Sequence, residues 1–91
     1  MRLTFRAHAL RRMFERSVSV DDARDVLGSG ETIADYPNDT PYASRLMLGW
    51  SKGRPLHVVA AYNPSDDETI VITVYEPDPA LWEADFRSKR P

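Results

Sequence analysis

His8 and His57 are the only histidines of this 91-residue sequence, and each has company with chemical potential. His8 stands near Arg12 and Arg16 in "RAHALRRMFER", and His57 follows Arg54 in "RPLHVVAAY". Thr73 and Tyr75 occur in the later apolar run "TIVITVYE". Imidazole, guanidinium and phenol suit one reaction type well. Cleavage of RNA by attack of a 2′-hydroxyl needs a base for that hydroxyl, cations for the charge on the phosphorane and an acid for the leaving oxygen. His57, Tyr75 and His8 are therefore the candidate catalytic residues, and Arg12, Arg16, Arg54 and Thr73 the candidate substrate contacts. Each also has a structural alternative. His8 can be a surface histidine paired with Glu15 or Arg12, and His57 a sheet histidine shielded by Trp50 or Trp82.

Other chemistries lack their residues. There is no cysteine, so disulfides, thiolate metal sites and thiol nucleophiles are excluded. Neither HxxxH nor HExxH occurs, and no metal or other cofactor is expected. Gly28, Gly30, Gly49 and Gly53 match neither a dinucleotide-binding nor a P-loop pattern. No apolar run approaches the roughly 18 residues of a membrane span, and the first residues lack the apolar stretch of a signal peptide. Those absences, with the lack of cysteine, fit a cytoplasmic protein with no membrane partner.

Charge is unevenly spread. Residues 1–30 carry six basic side chains (Arg2, Arg6, Arg11, Arg12, Arg16, Arg24) against four acidic ones, whereas residues 31–86 carry ten acidic against three basic. Arg87, Lys89 and Arg90 close the chain. A chain-wide basic footprint for nucleic acid is absent, but the first helix and the tail can build a local basic patch.

The elements that must position these groups follow from periodicity. Over residues 6–16, a helical advance of about 100° per residue puts Ala9, Leu10, Met13 and Phe14 on one face. His8, Arg11, Arg12, Glu15 and Arg16 take the other. Residues 20–27 form a second helix, N-capped by Ser19, with Asp21 and Asp22 in the first turn and Val20, Ala23, Val26 and Leu27 as its buried stripe. The link between the helices is short enough for a compact pair. Four strands follow, at 31–36, 44–50, 55–62 and 69–76, with Gly53 available for positive φ in the "SKGR" hairpin turn. Residues 77–86 form a short helical turn, and 87–91 are expected to fray.

Alternation assigns Leu56, Val58, Ala60 and Tyr62 to the helix-facing side of the third strand, and Ile70, Ile72 and Val74 to that side of the fourth. His57, Val71, Thr73 and Tyr75 then share the opposite face. The expectation is a single α+β domain over 1–91, with two N-terminal helices packed on a four-stranded, mainly antiparallel sheet.

Four segments also carry a family likeness: "HALRRMFERSVSVDDARDVL", "GETIADYPNDTPYASRLMLGW", "GRPLHVVAAY" and "IVITVYEPDP". They resemble a bacterial family known as domain of unknown function 4258, from His8 to about Phe86. The shared pattern is H-A-x-x-R-M-x-x-R, then G-x-P-L-H-V-V, then V-I-T-V-Y-x-P. More remotely, the layout looks like BrnT-type toxins and the RelE/ParE-like group, and "RSVSVDDA" is similar to the BrnT helix junction. That likeness implies a small antiparallel sheet whose open face cleaves mRNA, and an antitoxin as protein partner. The chain departs from the BrnT pattern where an arginine would follow the "ITV" strand, since Tyr75 and Glu76 stand there. It is also acidic, with net charge −2, where RelE-like toxins are usually basic.

Two readings stand side by side. One is a metal-independent RelE/BrnT-like endoribonuclease acting on RNA in a toxin–antitoxin system. There His57 is base or acid, Arg12 and Arg54 are phosphate clamps, and Tyr75 is a positioning or acid group. The other is a non-catalytic protein- or ligand-binding domain of the same fold.

Overall fold

The computed structural model describes residues 2–91, and its framework is a five-stranded mixed sheet. The elements in chain order are β1 (Arg2–Phe5), α1 (Ala7–Glu15), α2 (Val20–Ser29), β2 (Glu31–Tyr36), β3 (Ser44–Ser51), β4 (Arg54–Asn63) and β5 (Glu68–Tyr75). Spatial order is β1-β5-β4-β3-β2. The last four form the expected antiparallel meander. The fifth strand corrects the sequence expectation of four: "RLTF" runs parallel to β5, Arg2 opposite Glu68 and Phe5 opposite Val71. Four residues with a distant parallel partner leave almost no periodic signal.

The β3–β4 turn is a two-residue hairpin, with Lys52 at φ 54° and Gly53 at φ 77° and Ser51 paired with Arg54. Two consecutive positive φ angles match the right-handed twist of the flanking strands. Leu56, Val58, Ala60, Val71 and Val74 are fully buried on the helix-facing side, together with Ala9, Met13, Ala23 and Val26 from the helices.

A β-bulge corrects the face assignment within β5. Val59 pairs with Thr73 but Ala60 pairs with Val71, so Ile72 is the extra residue. The bulge reverses the alternation. Val71 therefore joins the core with Val74, while Thr73 and Tyr75 stay on the other face with His57.

The helices diverge: α1 packs on β5, and α2 on β3 and β4. The flank of α1 that carries Leu10 and Phe14 is left open. Leu10 and Phe14, expected inside, are 45% and 87% exposed. Only Ala9 and Met13 of this helix are buried. Val20 of α2 is likewise exposed. At the other helix Gly30 allows close approach, since a Cβ there would lie 2.5 Å from Val26 O and 2.6 Å from Leu48 O.

Asp22 ties these pieces together. Ser19 and Asp22 form a reciprocal capping box: Ser19 N–H donates to Asp22 Oδ2 at 2.8 Å and Asp22 N–H to Ser19 Oγ at 3.0 Å. Ser51 Oγ donates to Asp22 Oδ1 at 2.6 Å. Lys52 and Arg54 approach the same carboxylate at 3.8 and 3.9 Å. The Ser51 and Ser19 hydrogen bonds hold the Asp22 carboxyl at a pKa of about 2.

Asp22→Asn is expected to destabilise the domain by about 1–3 kcal/mol at neutral pH, read by urea unfolding. A depressed carboxylate pKa stabilises above the unfolded value of 3.8 and loses that contribution as pH falls through about 2. The gap between wild type and variant should therefore be constant above about pH 5 and shrink below it. Gly30→Ala should cost about 1–3 kcal/mol, because backbone oxygens rather than flexible side chains would have to move.

Candidate functional site

β1 pairs with β5 only as far as Val71, where Arg6 N–H donates to Val71 O at 3.0 Å. Beyond that point the outer edge of β5 has no strand partner among the described residues, and α1 packs against β5. The chain after β5, residues 77–91, does not fray outward. It folds as a strap across the sheet face opposite the helices. Its helical turn is a single α-turn, in which Trp82 N–H donates to Asp78 O at 3.1 Å. Strap, β5 edge and α1 enclose a groove of about 370 Å³.

Five of the sequence-predicted residues meet there. His8, Arg12 and Arg16 come from the exposed row of α1, and Thr73 and Tyr75 from β5. Glu76, Asp78, Leu81, Trp82 and Lys89 complete the lining. Arg12, Arg16 and Lys89 have no carboxylate partner among the described residues, whereas Glu76 is engaged by Arg54 Nε at 3.6 Å. The groove thus presents three cations without carboxylate partners, one accessible imidazole, a phenol and the carboxylate of Asp78, which accepts from Ala80 N–H. Lys89 also lies 5.9 Å above the Trp82 ring, a cation–π distance that places its charge at the mouth. Lys89 and Trp82 were not among the predicted site residues, because only the fold of the strap brings them to α1.

Arg54 lies outside the groove lining. Its Nη1 and Nη2 donate to Arg16 O at 3.2 Å and Ser17 O at 2.9 Å, closing the C-terminal end of α1. With Asp22 and Glu76 also in reach, the guanidinium is occupied by the scaffold.

His57 sits behind the groove wall. It is fully buried. Trp82 supplies the cover, with ring centroids 4.5 Å apart and planes 88° to each other. Both ring nitrogens are engaged: Nε2 lies 2.7 Å from Phe86 O, and Nδ1 lies 3.1 Å from Tyr75 Oη. A carbonyl only accepts, so Nε2 carries the proton and the Tyr75 hydroxyl donates to Nδ1. Burial pushes the His57 pKa below 6.5, partly opposed by the bond to Phe86 O. Burial also raises the Tyr75 pKa, with a smaller contribution from Tyr36, so the phenol keeps its proton.

Phe86 is itself unusual, with φ 58°. A non-glycine residue in the left-handed region costs about 1–2 kcal/mol. Its ring packs edge-on against Trp50 at 6.0 Å.

A cavity of about 400 Å³ lies near Tyr42, Arg45 and Tyr62, with Asp35 as its carboxylate and no histidine. Among the described residues, no group of three or more His, Cys, Asp or Glu side chains is arranged to hold a metal ion. Nor is any helix there long and apolar enough to cross a membrane.

Residues 5–76 match the family described as "Domain of unknown function (DUF4258)". The match takes in α1 and all of β5, and the strap lies beyond it. No curated protein and no solved structure matches the chain.

A histidine whose pKa is lowered by folding stabilises fully above its unfolded pKa of 6.5, and that contribution is lost as pH falls towards the folded value. Acidification from pH 7 should therefore weaken the wild-type protein before most carboxylates titrate. His57→Gln, which removes the titrating ring, should flatten that limb. Thermal unfolding followed by tryptophan fluorescence at pH 7, 6 and 5 checks both.

Proposed function

Since this chain belongs to the DUF4258 family, a description that assigns it no activity, its function is argued from the groove, and we propose that it is a metal-independent endoribonuclease. The observation that carries the reading is the gathering of His8, Arg12, Arg16, Lys89 and Tyr75 along one open groove. Arg12, Arg16 and Lys89 suit a phosphodiester backbone, because unpaired cations bind phosphates strongly and guanidinium can do so with two parallel bonds. His8 takes the proton of a 2′-hydroxyl, and the freed oxygen attacks the adjacent phosphorus. The three cations stabilise the phosphorane, and the 5′ oxygen departs with a proton taken from water, leaving a 2′,3′-cyclic phosphate. The remote likeness to BrnT and RelE-type toxins supports the same reaction, and with it a cytoplasmic toxin role and an antitoxin partner.

A second reading keeps the groove and drops the chemistry: a binding domain for an anionic ligand or protein segment. The burial of His57 favours it, since only one imidazole is open to a substrate.

Pure protein incubated with single-stranded RNA in the presence of a chelator should yield fragments ending in cyclic phosphate. His8→Ala should slow cleavage by about 100-fold, within the range ascribed to one general base. Arg12→Ala should weaken RNA binding and flatten its salt dependence. RNA that stays intact yet binds in a salt-dependent way would decide for the second reading.

A further inference from the structure

RNA transesterification runs best with a base on the 2′ oxygen and an acid on the leaving 5′ oxygen. The open groove offers one imidazole, and the other lies a single hydrogen bond behind it. Tyr75 lines the groove, and its hydroxyl meets His57 Nδ1 at 3.1 Å. The strap closes one side of His57, through the Trp82 ring and the Phe86 carbonyl, while Tyr75 of β5 holds Nδ1 from the other.

The strap is a self-contained piece. Arg90 N–H donates to Leu81 O and Glu83 N–H to Ser88 O, while the Arg90 side chain engages Pro79 O and Glu83. Those bonds would travel with it. Its ties to the rest beyond the buried Pro77 are fewer: the exposed Arg87–Glu31 ion pair, the Trp50–Phe86 edge contact, and the grip on His57. The grip is made by Phe86, which like Ser17, Lys52 and Asp67 is a non-glycine residue in the left-handed region. Strained residues cluster at clamps and switch segments, where lifting relieves the strain.

We propose that the strap is a lid over a second acid–base residue: when it lifts, carrying Lys89 with it, His57 joins His8 and Tyr75 in one open site where Arg12 and Arg16 remain as the cations, and it protonates the leaving 5′ oxygen. This rests on the ribonuclease reading. Water reaching the ring removes the desolvation that disfavours its charged form, so the imidazolium can form. It gives one proton to the 5′ oxygen as the P–O5′ bond breaks and the O2′–P bond forms, and ends neutral. His8 takes the 2′ proton in the same turnover, and solvent restores both rings.

The test uses the full-length chain with Arg87→Ala, and with Arg87→Ala combined with Trp50→Ala, neither residue lining the groove. Diethyl pyrocarbonate labels accessible imidazoles, and peptide mass spectrometry separates His57 from the internal reference His8. Expected is at least a fivefold faster labelling of His57 relative to His8, a severalfold rise in RNA cleavage, and loss of that rise on adding His57→Gln. The exchanged pair Glu31→Arg with Arg87→Glu should return labelling towards wild type. Unchanged His57 labelling in both variants overturns the lid. Faster labelling with unchanged cleavage in a protein that does cleave RNA overturns the role of His57 as acid. Faster labelling where no variant, wild type included, cleaves RNA overturns that role together with the ribonuclease reading, and leaves the strap as a lid.

Discussion

One buried carboxylate holds the layers of this domain in register. Asp22 caps its own helix, accepts from Ser51 at the end of β3, and lies within ion-pair reach of the Lys52 and Arg54 side chains. Arg54 in turn grips the carbonyls of Arg16 and Ser17, so the same cluster fixes where α1 ends. A charged group taken out of water is tolerated only when its lone pairs are filled. Here the filling comes from the N-cap of α2 and from the β3–β4 hairpin at once. Without that anchor, α1 would depend on Ala9 and Met13 alone, and the row of His8, Arg12 and Arg16 would lose its bearing on β5.

Much of this was legible in the sequence where the signal is local. Ser19 as N-cap, with Asp21 and Asp22 in the first turn, marks a helix start, and the structure bears it out and adds the reciprocal bond from Asp22. The SKGR hairpin and the strands around it follow from turn chemistry and alternation. Non-local facts left no such mark. The parallel strand β1 is four residues long, and its partner lies at the other end of the chain. The bulge at Ile72 turns Val71 inward, and nothing in "TIVITVYE" distinguishes a bulged strand from a regular one. Leu10 and Phe14 look like core by helical spacing, but spacing says nothing about whether a second helix stands opposite them.

The same division applies to the site. Placing His57, Thr73 and Tyr75 on one face required only period-two alternation. The row on α1 required only the helical period. That the row meets Thr73 and Tyr75 depends on β1, which carries the chain to the edge of β5 before α1 begins. The covering of His57 depends on the strap, whose "EPDPALWEADF" reads as turns with no indication of where they dock. Arg54 illustrates the opposite hazard: a strand-end arginine beside a histidine looks like a ligand contact, yet its donors are taken by backbone carbonyls and two carboxylates.

The pairing of β1 with β5 has a consequence in time as well as space. Arg2 lies opposite Glu68, so that contact closes a loop containing most of the chain. Long loops form slowly, because their closure costs chain entropy before any contact rewards it. The hairpins β3–β4 and β4–β5 are local and can form first. α1 follows β1 across a single residue, Arg6, and takes its place beside β5 only when β1 has paired. Residues 2–5 thus complete the sheet edge beside which α1 sits. A chain that has built its meander but not yet seated its first strand has no groove, so whatever the groove does is withheld until folding is finished.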